Sequence, residues 1–179
     1  GSKAFAKQFM ANHGIPTARF RSFSLDELSQ AEGYARDCPL PVVVKADGLA
    51  AGKGVLICET HDAAVVALRE MMLNKAFGSA GENVVIEEYL EGEEASVFAL
   101  TDGDRFVVLA TAQDHKRILD GDRGKNTGGM GAYAPAPIVT KGSVRQIEKE
   151  IIIATLGGMK NDGMPCRGWV MLLWSCMVI

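Results

Sequence analysis

Two short apolar runs flank a glycine-rich loop in the segment VVVKADGLAAGKGV, which spans Val42 to Val55. The first run, Val42 to Val44, is too short for a helix and consists of β-branched residues, which favour strands. The second run, Val55 to Cys58, is equally short and apolar. The segment therefore predicts two strands joined by a flexible loop, with Lys45 at the end of the first strand and Lys53 inside the loop.

The segments around these two strands alternate between helix and strand patterns. Apolar residues recur at helical spacing before Gly14 and again from His61 to Leu73, while Ser24 and Glu27 form a capping-box pattern that starts a helix toward Cys38. Further strands are predicted at Arg19–Phe23 and Asn83–Tyr89. The resulting order, β-α-β-β-α-β within about seventy residues, predicts a compact α+β lobe.

The second half of the chain begins with a hairpin pattern and a long connection. The turn residues Thr101 to Asp104 separate two extended segments, Ala95–Leu100 and Phe106–Thr111, so an antiparallel pair is predicted. The glycine-rich stretch from Gln113 to Lys141 is predicted to be a loop. Because loops of this length are uncommon in compact domains, we expect it to be functional.

The last part of the chain predicts one helix and one strand. An apolar stripe from Val144 to Met159 has helical spacing and is followed by Gly163 and Pro165, which end helices. The nearly continuous apolar run from Trp169 to Ile179 fits a buried strand. It is well short of the ~20 residues that a membrane-spanning helix needs.

The composition favours a soluble globular protein that does not bind a polyanion. The chain is 47% apolar and 23% charged with a formal net charge of −3, so it lacks the basic excess of a nucleic-acid-binding protein. We expect no membrane partner and no secretory signal. The four cysteines show no metal-binding spacing, which favours reduced thiols in a cytoplasmic protein; they are Cys38, Cys58, Cys166 and Cys176.

The loop sequence GLAAGKG differs from the phosphate loop of P-loop NTPases, in which Lys and Ser/Thr follow the last glycine and a helix begins. Here Gly54 leads into a predicted strand. A glycine loop between two strands can cover a triphosphate as a flap, with Lys53 above the phosphates and Lys45 beneath them. The alternative is a plain hairpin with solvated lysines, and the motif alone leaves both interpretations open.

Two further segments carry residues suited to nucleotide or substrate binding. Backbone groups of Glu88 to Leu90 are placed to pair with an adenine edge, and Glu93 or Glu94 to bind ribose hydroxyls, although an acidic run is usually a solvated turn. In the long loop, Asp114 to Arg117 combine an acid, an imidazole and two cations. The glycine-rich run Asn126 to Gly131 follows, and its backbone can approach an anion closely. QDHKR alone could be a solvated turn, but its place in an over-long glycine-rich loop favours function.

Six segments together resemble one enzyme family. They are GSKAFAKQFM, HGIPTA, VVKADGLAAGKGV, KAFGSAGENVVIEEYLEGEEAS, QDHKR and NTGGMGAYAPAP. In this order and spacing the chain resembles the phosphoribosylamine–glycine ligases (glycinamide ribonucleotide synthetases) of the ATP-grasp superfamily, from Gly1 to about Gly168. The resemblance implies an α+β ATP-grasp fold with a small mobile lobe and an incomplete larger antiparallel-sheet lobe. It places residues 1–16 in a helix of the larger lobe, 17–91 in the small lobe and 92–179 in the larger lobe.

The resemblance also implies a reaction among small-molecule partners and roles for individual residues. The reaction joins glycine to 5-phosphoribosylamine with ATP, through a glycyl phosphate, in purine biosynthesis, and uses Mg²⁺ or Mn²⁺. The implied ATP-binding residues are Lys3, Lys45, Gly52, Lys53, Gly54, Glu88, Tyr89, Leu90 and Glu94. The implied catalytic residues are Asp114, His115, Lys116 and Arg117, and the implied substrate-binding residues are Asn126, Thr127, Gly128, Gly129 and Met130.

The resemblance weakens toward the C-terminal end. Residues 169–179, WVMLLWSCMVI, depart from the family pattern, and the EFN segment that binds magnesium in the family is expected beyond the chain, so no metal ligand is predicted within it. Two classes of function follow as expectations: an ATP-dependent ligase, of which this is a central piece, or a non-catalytic ATP-binding fragment. Another ATP-grasp carboxylate–amine ligase is a weaker alternative, because QDHKR and NTGGMG belong to the resemblance with the glycine ligases.

Overall fold

A computed structural model of the chain describes residues 2–48, 54–74, 76–121 and 123–176. The chain has two compact units, the first formed by Gly1–Ala11 with Thr17–Tyr89 and the second by Asn12–Pro16 with Leu90–Ile179. Most of the N-terminal helix thus groups with the first unit, whereas the sequence analysis expected residues 1–16 in the larger lobe. Contacts between that helix and the end of a strand in the first unit, described below, account for the difference.

The first unit is a four-stranded antiparallel sheet with three helices. Its elements are α1 (Lys3–Asn12), β1 (Phe20–Ser24), α2 (Leu28–Asp37), β2 (Val42–Ala46), β3 (Val55–Cys58), α3 (His61–Met72) and β4 (Asn83–Glu88). The strand order is β1-β4-β2-β3. The predicted β-α-β-β-α-β order is confirmed, because short β-branched runs and helical apolar spacing are both strong local signals.

The two faces of this sheet have different chemistry. Alternate residues of β2 and β4 belong to the apolar core that these strands share with α2 and α3; they are Val42, Val44, Ala46, Val84 and Ile86. Successive side chains of a strand point to opposite faces. Lys45 and Glu87 therefore lie on the other face of the sheet, beside the buried Val43 and Val85.

The helical segment that follows β1 begins at the predicted capping box. The Ser24 backbone N–H donates to the Glu27 carboxylate over 3.0 Å, a contact of the predicted capping box. A short 3₁₀ turn, Leu25–Glu27, precedes α2. The cap thus sets the point at which the chain leaves β1 and enters the helical layer.

The second unit contains a three-stranded sheet packed against a helical segment. Its sheet elements are β5 (Glu93–Thr101), β6 (Phe106–Val108) and β9 (Gly168–Cys176), in the order β6-β5-β9. The helices α4 (Lys141–Ile147) and α5 (Ile153–Asn161) are joined by π-helical turns. Their buried contacts with β5 are made by Val97, Ala99, Ile147, Ile152 and Leu156. The predicted hairpin and terminal strand are confirmed, the latter over Gly168–Cys176; its side chains and residues 177–179 lie outside the described part.

The prediction that residues 113–141 form a loop is wrong over most of that range. The structure contains an antiparallel hairpin of β7 (Gln113–Leu119) and β8 (Arg123–Tyr133). Glycine weakens intrinsic strand preference, so the composition suggested a loop. Backbone pairing between the two strands does not depend on side chains, and here it overrides that local preference.

None of the helices in the described ranges combines the length and the apolar character needed to cross a bilayer.

Candidate functional site

The residue that follows β2, Asp47, fixes the start of α1. Its carboxylate accepts hydrogen bonds from the Ser2 hydroxyl at 3.0 Å and from the Ala4 backbone N–H at 2.6 Å. The first backbone N–H groups of a helix lack intrahelical partners, and a carboxylate there also faces the positive end of the helix dipole. Asp47 thus ties the N-terminus of α1 to the point where the glycine-rich loop begins.

This arrangement brings Lys3 to the same point. The Lys3 ammonium donates to the carbonyl oxygens of Ala46 at 2.7 Å and Gly48 at 2.9 Å. Burial lowers the pKa of Lys3, and the charge of Lys45 lowers it further, while Asp47 acts in the opposite direction. Two predicted ATP-binding lysines therefore lie close enough to repel each other where β2 ends.

Lys45 contacts a buried carboxylate on the neighbouring strand. Its ammonium forms an ion pair with Oε1 of Glu87, whose side chain is only 6% exposed. The ammonium of Lys7, on α1, lies 2.6 Å from Oε2 of the same carboxylate. A single acid on β4 is thus shared by a lysine from β2 and a lysine from α1.

The glycine-rich loop is described only at its two ends. The Ala46 backbone N–H donates to the Gly54 carbonyl over 2.8 Å, which closes the β2–β3 hairpin at the base of the loop. Gly52 and Lys53, the predicted flap residues, lie outside the described residues. Their role over a triphosphate stays a prediction.

Glu88, the first residue of the predicted adenine hinge, is hydrogen-bonded to Arg19, the residue before β1. Its carboxylate accepts from the backbone N–H and from Nε of Arg19, both at 2.8 Å, and its own N–H donates to the Arg19 carbonyl at 3.0 Å. A backbone donor for adenine would therefore come from Tyr89 or Leu90, which follow the end of β4. The hinge stays a prediction.

The contact with Arg19 predicts an acid-sensitive contribution to stability. Hydrogen bonds from the Arg19 backbone and side chain lower the pKa of Glu88 from its usual 4.5. A lowered folded pKa adds stability above the unfolded value, and this is lost as pH falls through the folded value. Glu88→Gln is expected to flatten the stability profile below about pH 4.5, measured by urea unfolding at several pH values. An unchanged slope in this range, with Glu70→Gln on the exposed face of α3 as control, would contradict it.

The predicted substrate-binding segment forms a bulge in the β7–β8 hairpin of the second unit. His115 pairs with Gly131, and the next paired residue of β7, Arg117, lies opposite Asn126. Between these two pairs, β7 has the single residue Lys116, whereas β8 has the four residues Thr127–Met130. A bulge of this kind interrupts the ladder and redirects the chain, as bulges near binding sites commonly do.

The hairpin also holds His115 beside the aromatic ring of Tyr133. The imidazole lies 5.4 Å from the ring of Tyr133, measured between centroids, and the Tyr133 hydroxyl donates to the Gln113 side chain over 2.6 Å. Asp114 precedes His115 in the same strand. The side chains of Lys116, Arg117 and Asn126 lie outside the described part, and Gly128 lies within β8. The catalytic and substrate-binding roles of these four residues stay predictions.

Glu94, the predicted ribose ligand, lies in β5 with an exposed side chain.

Gly129→Ala is expected to disturb the bulge, because Gly129 has φ +135°, a conformation that side-chain-bearing residues rarely adopt. The strain should be about 1–3 kcal/mol and should lower the hydrogen-exchange protection of the β7–β8 amides. Gly131→Ala is the matched control, since Gly131 is in the same strand with no atom within 4 Å of an added Cβ and no positive φ. Equal protection in the two variants would show that the bulge tolerates a side chain at residue 129.

The sequence analysis missed three residues that organise the site in the first unit: Lys7, Asp47 and Glu87. A signal for Glu87 is present in the strand VVIEE, because an acid at an alternate position of an apolar strand must find buried partners. Lys7 lies one helical turn after Lys3, on the same side of α1. Asp47 had no comparable signal, since an acid after a strand is ordinary turn chemistry.

Among the described residues, no group of three His, Cys, Asp or Glu side chains is placed to hold a metal ion.

The chain matches a known protein family over its full length. The family described as phosphoribosylglycinamide synthetase, ATP-grasp (A) domain, matches residues 1–179. A phosphoribosylamine–glycine ligase from Chlorobaculum tepidum is 51% identical over 170 residues, which are 94% of this chain and 40% of that relative. The chain thus spans well under half the length of this curated relative.

Solved structures share the fold. The crystal structure of phosphoribosylamine–glycine ligase from Thermotoga maritima has a TM-score of 0.85 and 39% identity, covering 98% of this chain and 44% of that one. The biotin carboxylase domain of 2-oxoglutarate carboxylase from Hydrogenobacter thermophilus has a TM-score of 0.66 at 22% identity, over 97% of this chain and 36% of that one. The second likeness is one of fold alone. The predicted α+β ATP-grasp fold is confirmed.

Proposed function

Because this chain belongs to the phosphoribosylglycinamide synthetase ATP-grasp (A) domain family, we propose that it carries the ATP-binding region of a phosphoribosylamine–glycine ligase. The reaction joins glycine to 5-phosphoribosylamine and releases ADP and phosphate. The relative from Chlorobaculum tepidum bears this name. The proposal extends that activity to this chain.

The observation that carries the proposal is the pair of lysines at the start of the glycine-rich loop. Lys3 is held by the carbonyls of Ala46 and Gly48, and Lys45 is the last residue but one of β2, which leads into the loop. A triphosphate is a concentrated anion that is bound by ammonium groups and backbone donors together. Two cations gathered beside a glycine-rich loop supply the charge that such a ligand needs.

The proposed chemistry has two steps. A glycine carboxylate oxygen attacks the γ-phosphorus of ATP, the bond to ADP breaks, and glycyl phosphate forms. The phosphoribosylamine nitrogen then attacks the acyl carbon, phosphate leaves and the nitrogen loses a proton. Both steps need stabilisation of phosphate charge more than covalent help from the protein, so Lys3 and Lys45 would neutralise phosphate oxygens.

The β7–β8 hairpin, which belongs to the second unit, carries the residues that we assign to glycine and the sugar phosphate. His115, oriented beside Tyr133, and Asp114 lie in one strand of the hairpin, and the bulge Thr127–Met130 lies in the other. Backbone N–H groups in a bulge are suited to hold an anionic group. The family uses a divalent cation with ATP, and among the described residues no group of three acidic, cysteine or histidine side chains is placed to hold one.

A second candidate function is nucleotide binding without turnover. It rests on the same observation, the lysines at the base of the glycine-rich loop, because binding a triphosphate needs cations whether or not phosphate is transferred. The two candidates share the lysine pair and differ in whether phosphate is released.

An assay of ADP release separates the two candidates. The chain is incubated with ATP and Mg²⁺, with glycine and phosphoribosylamine added singly and together. The proposal predicts ADP release only when both substrates are present. Binding of ATP without substrate-dependent release would support the second candidate, and absence of both signals would contradict both.

A further inference from the structure

The carboxylate of Glu87 lies between two ammonium groups on the sheet face opposite the core of the first unit. Lys45 contacts its Oε1, and Lys7 lies 2.6 Å from its Oε2. Glu87 is 5% exposed, so the carboxylate is out of contact with most solvent. A buried charge is tolerated only with close partners of opposite sign, and here it has two.

Lys7 and Lys45 differ in the number of polar groups that contact their ammonium groups. Lys7 also donates to the hydroxyl of Thr17 at 2.8 Å and to the Ala18 carbonyl at 3.3 Å. A lysine ammonium has three N–H donors; these two acceptors take two of them, and the Glu87 carboxylate lies within ion-pair distance of the same nitrogen. Lys7 is thus a fixed internal cation rather than a group that reaches a ligand.

Lys45 has one ion-pair contact in the described part of the chain, and its side chain is more exposed to solvent than that of Lys7. Its side chain is 26% exposed, compared with 12% for Lys7. Glu87 is its one ion-pair partner among the described residues. Because an ammonium has three donors, one contact with Glu87 fixes its position and leaves donors for an oxygen ligand.

The charge balance of this cluster favours an anion. Lys7, Lys45 and Glu87 together carry one net positive charge, and Lys3 adds another close by. Since Lys7 shares the carboxylate, Glu87 orients Lys45 without cancelling its charge. A lysine paired alone with a buried carboxylate would present a neutral pair to the ligand instead.

We infer that Glu87 is a positioning residue for the proposed ATP site: it holds the Lys45 ammonium toward the triphosphate, and Lys7 is the counter-ion that keeps Lys45 from being neutralised. The inference rests on the proposed function, because it assumes that Lys45 contacts phosphate. It assigns Glu87 no contact with the ligand.

Two substitutions of Glu87 separate position from charge. Glu87→Gln removes a negative charge near the site, so a purely electrostatic role predicts tighter ATP binding. Glu87→Asp keeps the charge and withdraws the carboxylate by one methylene, so an electrostatic role predicts unchanged binding. A positioning role predicts that both variants bind ATP at least about tenfold more weakly, as when one charge-assisted hydrogen bond is lost.

The test measures ATP affinity by calorimetry for the chain and both variants, with Glu70→Gln on the exposed face of α3 as control. Each variant is also made in a Lys45→Met background, where a positioning role predicts no further loss, because Glu87 acts through Lys45. A role in folding alone would lower the melting temperature but leave the affinity of the folded protein unchanged. Glu87→Asp, which keeps a charge partner for both lysines, serves if Glu87→Gln does not fold.

The outcomes distinguish the two proposals. If the parent chain binds ATP and both Glu87 variants bind it equally well or more tightly, the inference is wrong and the proposed function stands. The inference is also wrong if the variants lose affinity to the same extent with and without Lys45. If the parent chain does not bind ATP, the proposed function fails and the inference fails with it.

Discussion

Lys45→Ala is expected to weaken nucleotide binding by about two orders of magnitude. The substitution removes the ammonium near the end of β2, at the base of the glycine-rich loop, and leaves Glu87 to neutralise Lys7. Loss of charge-assisted hydrogen bonds to phosphate should weaken ATP binding roughly 100-fold, or about 2–3 kcal/mol. Calorimetric titration of the variant with ATP measures the effect.

The control for this variant is Arg36→Ala. Arg36 is an exposed cation of the same unit that pairs with Asp62 at 3.2 Å, on the helical side of the sheet. An exposed ion pair contributes little to stability, so ATP affinity and the unfolding midpoint should both stay close to those of the parent. If Lys45→Ala is folded by circular dichroism and binds ATP as tightly as the parent, Lys45 does not belong to the site.

Gly81→Ala is expected to destabilise the first unit strongly. Gly81 is buried just before β4, and an added Cβ would overlap the carbonyl oxygen of Met71 and lie 3.0 Å from its carbonyl carbon. Both atoms are backbone atoms in α3, so relief requires movement of the helix or the strand. The free energy of unfolding should fall by about 3 kcal/mol, the upper range for overpacking. Since β4 carries Glu87 and Glu88, ATP binding should weaken in parallel.

Gly33→Ala provides the opposite expectation in the same unit. Gly33 is exposed within α2, and no atom lies within 4 Å of an added Cβ. Alanine in a helix interior is favoured over glycine by about 0.5–1 kcal/mol, so this variant should be slightly more stable than the parent. Urea unfolding of both variants compares them. A Gly81→Ala protein as stable as the parent would show that α3 and β4 can separate without cost.

Much of the first unit could be predicted because its signals are local. Val42–Val44 and Val55–Cys58 are short β-branched or apolar runs, and the Ser24 and Glu27 pair marks the start of a helical segment. In the β7–β8 hairpin the local signal has the opposite sense, since glycine disfavours strands. Its two strands are held by backbone pairing with each other, and the residue pattern of one segment does not report which segment it pairs with.

The candidate site could be predicted only where a residue type matches its role directly. Lys45 and the glycine-rich loop were predicted because phosphate binding needs cations and exposed backbone donors, whereas Lys3 was assigned from the family resemblance. Glu87 acts through Lys45, and Asp47 acts through the N-terminus of α1. Both roles arise from contacts between elements that are far apart in sequence, so no residue spacing predicts them.

The most direct test of the lysine pair as the triphosphate site is NMR of the lysine side-chain signals in the ligand-free chain and during titration with a non-hydrolysable ATP analogue. Lys160, which pairs with Asp104 at 2.7 Å in the second unit, is the internal reference. We predict that the Lys3 and Lys45 signals shift on addition of the analogue, while adenosine leaves them and Lys160 unchanged. Saturation with the analogue without a shift of either Lys3 or Lys45 would contradict the proposed site.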